Sequence, residues 1–230
     1  MSVLLVIACS GFGRRGSDPL YEADPALYLK QQHRSLSSLQ YSCDVVIVNN
    51  GGTQPYLDYL DTLRGTYPVI DRENKGMSLG ALSCAHQTYP GYDYYILTED
   101  DYIFVLDHFD EEMVELIKSV DDCGYMCQIV ATDASCPVPF PSALAGIASV
   151  KLLERLGGIR GEDEPSNHAM GDQMQKALGM QISETRQFIV ADMGSRFKAP
   201  FRDAHEIKMY YPEAPYTLMV PSQMYTREFS

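Results

Sequence analysis

Short apolar runs alternate with segments of helical periodicity along the first hundred residues. The apolar runs predict strands at Val3–Ala8, Asp44–Val48, Pro68–Ile70 and Tyr94–Leu97. Between them, apolar residues at helical spacing predict helices at Pro25–Leu39, Pro55–Leu63 and Ser78–Gln87. Asp24 is the predicted N-cap of the first helix, and Pro25 suits its first position. This alternation predicts an α/β fold with a mostly parallel central sheet and helices on both faces.

The pattern is less regular after residue 101. It predicts helices at Phe109–Val120, Ala148–Leu156 and His168–Leu178, and a strand at Tyr125–Ala131. A chain of 230 residues suits one α/β domain with a sizeable core. We therefore expect a single domain over residues 1–230, with a regular half at 1–101 and a second half at 102–230 that completes a cleft.

Polar or glycine-rich segments follow all four predicted strands of the first half. These segments are Cys9–Gly13, Asn49–Gly52, Asp71–Gly76 and Thr98–Asp101. In open parallel sheets, ligands bind in the crevice beyond the carboxyl ends of the strands. Because the four segments share that edge of the predicted sheet, we expect a ligand site there.

Charge and composition exclude several classes of function. The 18 basic and 31 acidic side chains give a formal net charge of −13. Nucleic acid and anionic membrane surfaces are held by clustered Lys and Arg, so neither is an expected partner. No apolar run reaches the roughly 20 residues of a membrane-spanning helix, and the apolar start lacks the basic residues of a signal peptide. The six cysteines lack zinc-site or redox-pair spacing. We therefore expect reduced thiols in a cytoplasmic protein.

Three consecutive carboxylates, Glu99, Asp100 and Asp101, follow the fourth predicted strand. Like charges this close repel each other and are costly to desolvate unless a cation neutralises them. Hard oxygen ligands at Glu99 and Asp101 suit a divalent ion that also keeps waters and a pyrophosphate group. A solvated acidic turn is the alternative, but the position at the end of a buried strand favours the ligand site.

The segment Asp71–Gly80 joins the third strand to the third helix. Its small residues Gly76, Ser78 and Gly80 allow close approach of the backbone. Free amide groups at the start of that helix, with Lys75 or Arg72 beside them, suit a phosphate or the edge of a base. An ordinary turn is the alternative, but the acidic run on the next strand favours the binding interpretation.

The order of these motifs resembles GT-A-fold glycosyltransferases, and the family-two type in particular. Asn49-Asn50-Gly51, Asn74-Lys75-Gly76 and Glu99-Asp100-Asp101 carry the resemblance, which covers residues 3–105. The acidic motif of that family is usually Asp-x-Asp, whereas this chain has Glu99-x-Asp101. The resemblance implies a Rossmann-like GT-A fold, in which residues 1–101 bind the nucleotide and residues 102–230 bind the acceptor.

The resemblance further implies a nucleotide-sugar donor, more often a UDP-sugar than a GDP-sugar, bound through Mn²⁺ or Mg²⁺. The acceptor would be a hydroxyl group of a glycan, glycoprotein or glycolipid. The metal would be held by Glu99, Asp101 and His205. The donor would be bound by residues at the ends of the strands and the start of the third helix, namely Ala8, Cys9, Ser10, Asn49, Asn50, Asn74, Lys75, Ser78, Glu99 and Asp100.

Asp172 follows Gly171 at the start of a predicted helix. The resemblance implies that it is the general base that deprotonates the acceptor in an inverting reaction. A helix N-cap is the alternative, and it is a very common use of an aspartate at that position. His205 has a similar alternative, because a lone histidine is more often a structural residue than a metal ligand.

Two other functions stay open on the sequence. The Gly11-Phe12-Gly13-Arg14-Arg15 segment after the first strand resembles the phosphate-binding loop of sugar nucleotidyltransferases. A catalytically silent GT-A-like module that binds a sugar or a protein partner is the second alternative. A retaining mechanism also stays open, because one sequence does not determine stereochemistry.

Overall fold

The computed structural model describes residues 1–12, 23–100, 102–104, 106–119, 124–127, 130–133, 136–141, 145–156 and 219–221. Ten strands occur within these residues: β1 (Val3–Gly11), β2 (Asp44–Gly52), β3 (Val69–Asp71), β4 (Tyr94–Glu99), β5 (Tyr102–Phe104), β6 (Tyr125–Cys127), β7 (Val130–Asp133), β8 (Cys136–Pro141), β9 (Ala145–Ser149) and β10 (Met219–Pro221). Five helices occur there as well: α1 (Leu27–Ser38), α2 (Gln54–Leu63), α3 (Met77–Thr88), α4 (Phe109–Lys118) and α5 (Val150–Leu156).

The central sheet has six strands in the order β3-β2-β1-β4-β9-β6. The pairs β1–β2, β1–β4 and β2–β3 are parallel, whereas β9 is antiparallel to both β4 and β6. Two further pairs, β5–β10 and β7–β8, are antiparallel and lie outside this sheet. The predicted α/β class and mostly parallel sheet are therefore confirmed.

Both faces of the central sheet are covered by helices. Side chains alternate along β1, so that Leu5 and Ile7 join a cluster with α1, α2 and α4, while Leu4 and Val6 join a cluster with α3 and α5. All four are at most 2% exposed. A strand buried on both faces has to be apolar at every position, and this requirement explains the continuous apolar run at the start of the chain.

Several predicted boundaries differ from the structure. The predicted helix Ala148–Leu156 begins two residues too early, because Ala148 and Ser149 belong to β9 and pair with β4. The predicted strand Tyr125–Ala131 is wrong as a single element, since its two ends lie in β6 and β7, which belong to different sheets. A short apolar run satisfies helix and strand periodicity alike, and hydrogen bonding to a neighbouring strand decides between them.

The start of the first helix also differs. The helix begins at Leu27 after Ala26, not at Pro25. Asp24 Oδ1 still accepts a hydrogen bond from the Ala26 N–H at 3.1 Å, and its carbonyl oxygen accepts one from the Leu27 N–H at 3.0 Å. The aspartate therefore stabilises the turn that leads into the helix. The predicted helix His168–Leu178 lies outside the described residues. Of the described helices, none is long and apolar enough to cross a membrane.

Candidate functional site

The carboxyl ends of the parallel strands meet at one edge of the central sheet. Ala8 on β1 is paired with Glu99 on β4, and Cys9 is paired with Asn49 on β2. Asn49 is paired in turn with Asp71 on β3. The polar segments that follow these strands therefore lie side by side, as their parallel order requires.

Glu99 ends β4 and is held by two helices. The Ser78 hydroxyl, in the first turn of α3, donates a hydrogen bond to Glu99 Oε1. The Gln32 side-chain amide, in α1, donates to the Glu99 carbonyl oxygen at 2.8 Å. The carboxylate thus lies at the N-terminus of α3, where the partial positive charge of the helix stabilises an anion.

Asp100 directly follows β4 and is turned into the protein, with only 3% of its surface exposed. Its Oδ2 atom accepts a hydrogen bond from the Tyr56 hydroxyl at 2.8 Å and one from the Ser10 N–H at 3.4 Å. Its own N–H donates to the Ala8 carbonyl oxygen at 3.2 Å. Burial, and next the nearby Asp100 carboxylate, raise the pKa of Tyr56 well above its ordinary value. The tyrosine hydroxyl therefore keeps its proton and acts as a donor.

Asn49 and Asn50 close the end of β2 and are both buried. The Asn49 side-chain amide donates to Asp71 Oδ1 at 2.9 Å, and its Oδ1 accepts from the Gly51 N–H at 2.9 Å. Arg64 donates to the same Asp71 oxygen at 2.8 Å. Hydrogen bonds from Arg64 and then from Asn49 hold the pKa of Asp71 below its ordinary value. Asp71 is therefore a fixed anion beside the ends of β2 and β3.

Arg72 connects the end of β2 to the start of α3. Its guanidinium donates to Asn50 Oδ1 at 3.2 Å and to the Lys75 carbonyl oxygen at 2.7 Å. Gly76, the N-cap of α3, has a φ of 71°, which glycine adopts without strain. At Gly80, a Cβ atom would lie 2.0 Å from the Lys75 carbonyl oxygen. Gly76 is therefore required by its left-handed φ, and Gly80 by the close approach of the Lys75 backbone to the helix.

Three residues at the start of α3 that were predicted to bind the nucleotide-sugar donor differ in exposure. Asn74 and Lys75 are exposed, whereas Ser78 is partly buried against Glu99. Lys75 Nζ lies 2.8 Å from Glu73 Oε2, and both side chains are largely exposed. An exposed ion pair contributes little free energy, so an anionic ligand could replace the Glu73 carboxylate at low cost.

The described carboxylates match a divalent metal in donor type but do not complete its coordination. Carboxylate oxygens are the hard ligands that Mg²⁺ and Mn²⁺ prefer. The hydrogen bond from Ser78 orients the Glu99 carboxylate. Side chains that bind metals are usually oriented by hydrogen bonds of this kind. Within the described part of the chain, no three His, Cys, Asp or Glu side chains come close enough to hold a metal ion. The other two predicted ligands, Asp101 and His205, and the predicted base Asp172 lie outside the described residues.

Two site residues, Gln32 and Tyr56, were not predicted from the sequence. Gln32 lies in the buried stripe of α1 with Tyr28, Leu29 and Leu36. A polar residue within an apolar helical stripe is a signal for a specific buried hydrogen bond. Tyr56 carries no comparable signal, because a tyrosine on the inner face of a helix is an ordinary core residue.

Comparisons with known proteins give matches in structure. No family model matches the sequence, and no curated protein matches it. The mannosyltransferase PcManGT from Pyrobaculum calidifontis, solved with GDP-Man and Mn²⁺, superposes with a TM-score of 0.51 at 16% identity, over 74% of this chain and 52% of that one. S. aureus TarS 1–349, solved with UDP, superposes with a TM-score of 0.54 at 14% identity, over 77% of this chain and 55% of that one.

A nucleotidyltransferase has a similar fold. A cytidylyltransferase from Leptospira borgpetersenii superposes with a TM-score of 0.52 at 15% identity, over 78% of this chain and 74% of that one. The chain spans about half the length of the two glycosyltransferases it matches. Because the identities are low, these likenesses establish the fold alone: the chain has a GT-A-type, Rossmann-like α/β fold with a mostly parallel central sheet.

Proposed function

We propose that the protein is a metal-dependent glycosyltransferase that transfers a sugar from a nucleotide-sugar, a UDP-sugar in the first instance, to a hydroxyl acceptor with inversion. One observation carries the proposal. The Glu99 carboxylate, the Ala8–Ser10 strand end and the Asn49–Asn50 pair lie together at the carboxyl edge of a GT-A-type sheet. Ligands of open α/β sheets bind at this edge.

The donor would bind across the ends of β1, β2 and β4. Ala8, Cys9 and Ser10 would border the nucleoside on one side, with Asn49 and Asn50 beside them. Asn74, Lys75 and Ser78 would contact the base or sugar side of the donor. The diphosphate would lie at the start of α3, where free amide groups and Lys75 offer positive charge.

The proposed metal is Mn²⁺ or Mg²⁺, held by Glu99, Asp101 and His205. When bound, it supplies a Lewis acid that stabilises the negative charge of the departing nucleoside diphosphate. Ser78 orients the Glu99 ligand. Asp100 would belong to the same donor site. Its buried carboxylate would stabilise the end of β1 through the hydrogen bond that it accepts from the Ser10 N–H.

Asp172 is proposed as the general base. Its carboxylate would take the proton of the acceptor hydroxyl, whose oxygen forms a bond to the anomeric carbon of the sugar as the bond to the diphosphate oxygen breaks. The acceptor is proposed to be a hydroxyl of a glycan, glycoprotein or glycolipid, bound by residues 102–230. We propose that the reaction takes place in the cytoplasm.

Calorimetric titration tests this function directly. UDP, GDP and CMP would each be titrated with Mn²⁺ and again with EDTA. We expect one nucleoside diphosphate to bind more tightly with the metal than with EDTA, and we expect Asp101→Ala to abolish that difference while leaving the unfolding transition unchanged. Metal-independent binding, or full metal dependence in Asp101→Ala, would contradict the proposed role of the acidic residues.

A sugar nucleotidyltransferase is the second candidate. The similarity to the cytidylyltransferase favours this candidate, because the superposition covers 74% of the cytidylyltransferase chain but only 52% and 55% of the two glycosyltransferase chains. Release of pyrophosphate from a nucleoside triphosphate and a sugar phosphate would support this candidate. Release of a nucleoside diphosphate from a nucleotide-sugar would support the glycosyltransferase instead.

A further inference from the structure

Three helices each direct one polar side chain at residues 99–100, and the three contacts differ in kind. Gln32 of α1 binds the Glu99 carbonyl oxygen, and Ser78 of α3 binds the Glu99 carboxylate. Tyr56 of α2 binds the Asp100 carboxylate. Of these contacts, the one made by Tyr56 also reaches the end of β1, because Asp100 Oδ2 accepts from the Ser10 N–H as well.

The ring of Tyr56 fills the space between the ends of β1 and β2. A Cβ atom at Gly11 would lie 2.2 Å from Tyr56 Cγ, and one at Gly52 would lie 2.8 Å from Tyr56 Cδ1. Tyr56 itself is 1% exposed. The two glycines thus leave room for a ring packed directly on the backbone of both strands, and this packing determines where the hydroxyl lies.

We propose that Tyr56 is a positioning residue that couples the nucleoside side of the site to the metal side. It acts through Asp100: the hydroxyl holds the carboxylate, the carboxylate holds the Ser10 amide, and the Asp100 amide is held by the Ala8 carbonyl oxygen. This inference rests on the proposed function. It adds to that function the statement that the end of β1 and the acidic residues move together. We call Tyr56, Asp100, Ala8 and Ser10, with the hydrogen bonds that join them, the unit.

The consequence is a specific effect of Tyr56→Phe on the coupling between metal and nucleotide. In the wild-type protein, Mn²⁺ bound at Glu99 and UDP bound along Ala8–Ser10 would each favour the same arrangement of the unit. Without the hydroxyl, the Asp100 carboxylate and the Ser10 amide that donates to it are held less firmly, so the two ends are coupled more weakly. We divide the UDP dissociation constant measured without Mn²⁺ by the one measured with Mn²⁺. We expect this ratio to be about tenfold lower in Tyr56→Phe than in the wild-type protein, because the variant loses a hydrogen bond to a charged group.

Tyr95→Phe is the matched control. Tyr95 is fully buried on β4, and its hydroxyl donates to the Tyr89 carbonyl oxygen at 3.0 Å, near the opposite end of the strand. Both variants lose one tyrosine hydroxyl and its hydrogen bond, which is buried and goes to a carboxylate for Tyr56, and is part-buried and goes to a backbone carbonyl for Tyr95. We expect a loss of thermal stability in both variants, the larger in Tyr56→Phe, and a changed ratio of the UDP dissociation constants without and with Mn²⁺ in Tyr56→Phe alone. Equal changes of that ratio in both would overturn the inference.

Hydrogen exchange of the ligand-free protein separates this inference from the proposed function. Peptides covering residues 8–12 and 97–104 contain the amides of Ser10 and Asp100 that the unit holds. We expect their exchange to accelerate in Tyr56→Phe and to stay at the wild-type rate in Tyr95→Phe. Unaltered exchange in Tyr56→Phe would overturn the role of Tyr56, whatever the wild-type protein binds. Failure of the wild-type protein to bind any nucleotide with metal would instead overturn the proposed function.

A second variant keeps the test open if Tyr56→Phe folds poorly. Asp100→Asn keeps the size of the side chain and an oxygen acceptor, but removes the charge that holds both donors. We expect accelerated exchange of residues 8–12 in this variant as well. Because Tyr56 acts through Asp100, the double variant should show less than the sum of the two single effects. Fully additive effects would contradict the chain of contacts.

Discussion

The packing around the proposed donor site can be tested in the α3 segment, through the change Gly80→Ala. Alanine is the better helix former and on propensity alone would stabilise α3 by about 1 kcal/mol. The structure opposes this gain. The added Cβ would lie 2.0 Å from the Lys75 carbonyl oxygen and 2.8 Å from the Arg72 guanidinium, so the backbone of the loop has to move.

The two effects can be compared in magnitude. Overpacking of a tight site costs about 1–3 kcal/mol. Displacement of Lys75 also weakens the hydrogen bond from Arg72 to its carbonyl oxygen, which is worth about 1 kcal/mol in this exposed position. After the gain in helix propensity, we expect a net destabilisation of about 2 kcal/mol, which is about thirtyfold in the unfolding equilibrium.

Urea unfolding measures this change, with Gly65→Ala as the control. Gly65 lies just beyond α2, and a Cβ atom there would meet nothing within 4 Å. We expect Gly65→Ala to change the free energy of unfolding by less than about 1 kcal/mol, because it acts mainly on the unfolded chain. A Gly80→Ala protein as stable as the wild type would refute the reasoning. Metal-dependent nucleotide binding should weaken in Gly80→Ala alone, since Arg72 also holds Asn50.

Two further predictions concern the charged groups at the sheet edge. Ser78→Ala should weaken Mn²⁺ binding several-fold, because it removes the hydrogen bond that holds the Glu99 carboxylate. Ser83→Ala, on the same helix, should leave Mn²⁺ binding unchanged. Equal effects of the two changes in a Mn²⁺ titration would contradict the role of Ser78 in holding Glu99. Hydrogen bonding from Arg64 lowers the pKa of Asp71, so the pair stabilises the folded state above the ordinary carboxyl pKa of about 3.9 and loses this effect as the pH falls through the lowered value. The free energies of unfolding in urea of the wild-type protein and Asp71→Asn should therefore differ by at most about 1 kcal/mol at pH 7, since the Arg64–Asp71 pair is largely exposed. The two free energies should converge in acid. A difference that stays constant with pH would contradict the stabilising role of the ionised Asp71.

The class of fold and the meeting of the polar segments at one edge of the sheet could be predicted from the sequence. Val3–Ala8 is apolar at every position, which indicates burial on both faces and therefore a parallel sheet between helices. Once the strands are parallel, the residues that follow them have to meet at one edge. Ala8, Asn49 and Glu99 lie together there for this reason, although they are far apart in the sequence.

Other features depend on tertiary contacts that leave no local pattern. Residues 145–150 are mostly small and apolar and satisfy the helix and strand patterns alike, and pairing with β4 makes the first five of them a strand. The sequence places Glu99 and Asp100 together in the predicted donor site, yet Glu99 is bound by the start of α3 while Asp100 is buried against Tyr56, 44 residues away. No local pattern in the sequence shows which hydrogen-bond donors each of these two neighbouring carboxylates meets. The folded chain does, because an anion is buried only where specific donors replace the water it loses, and packing alone brings those donors to it.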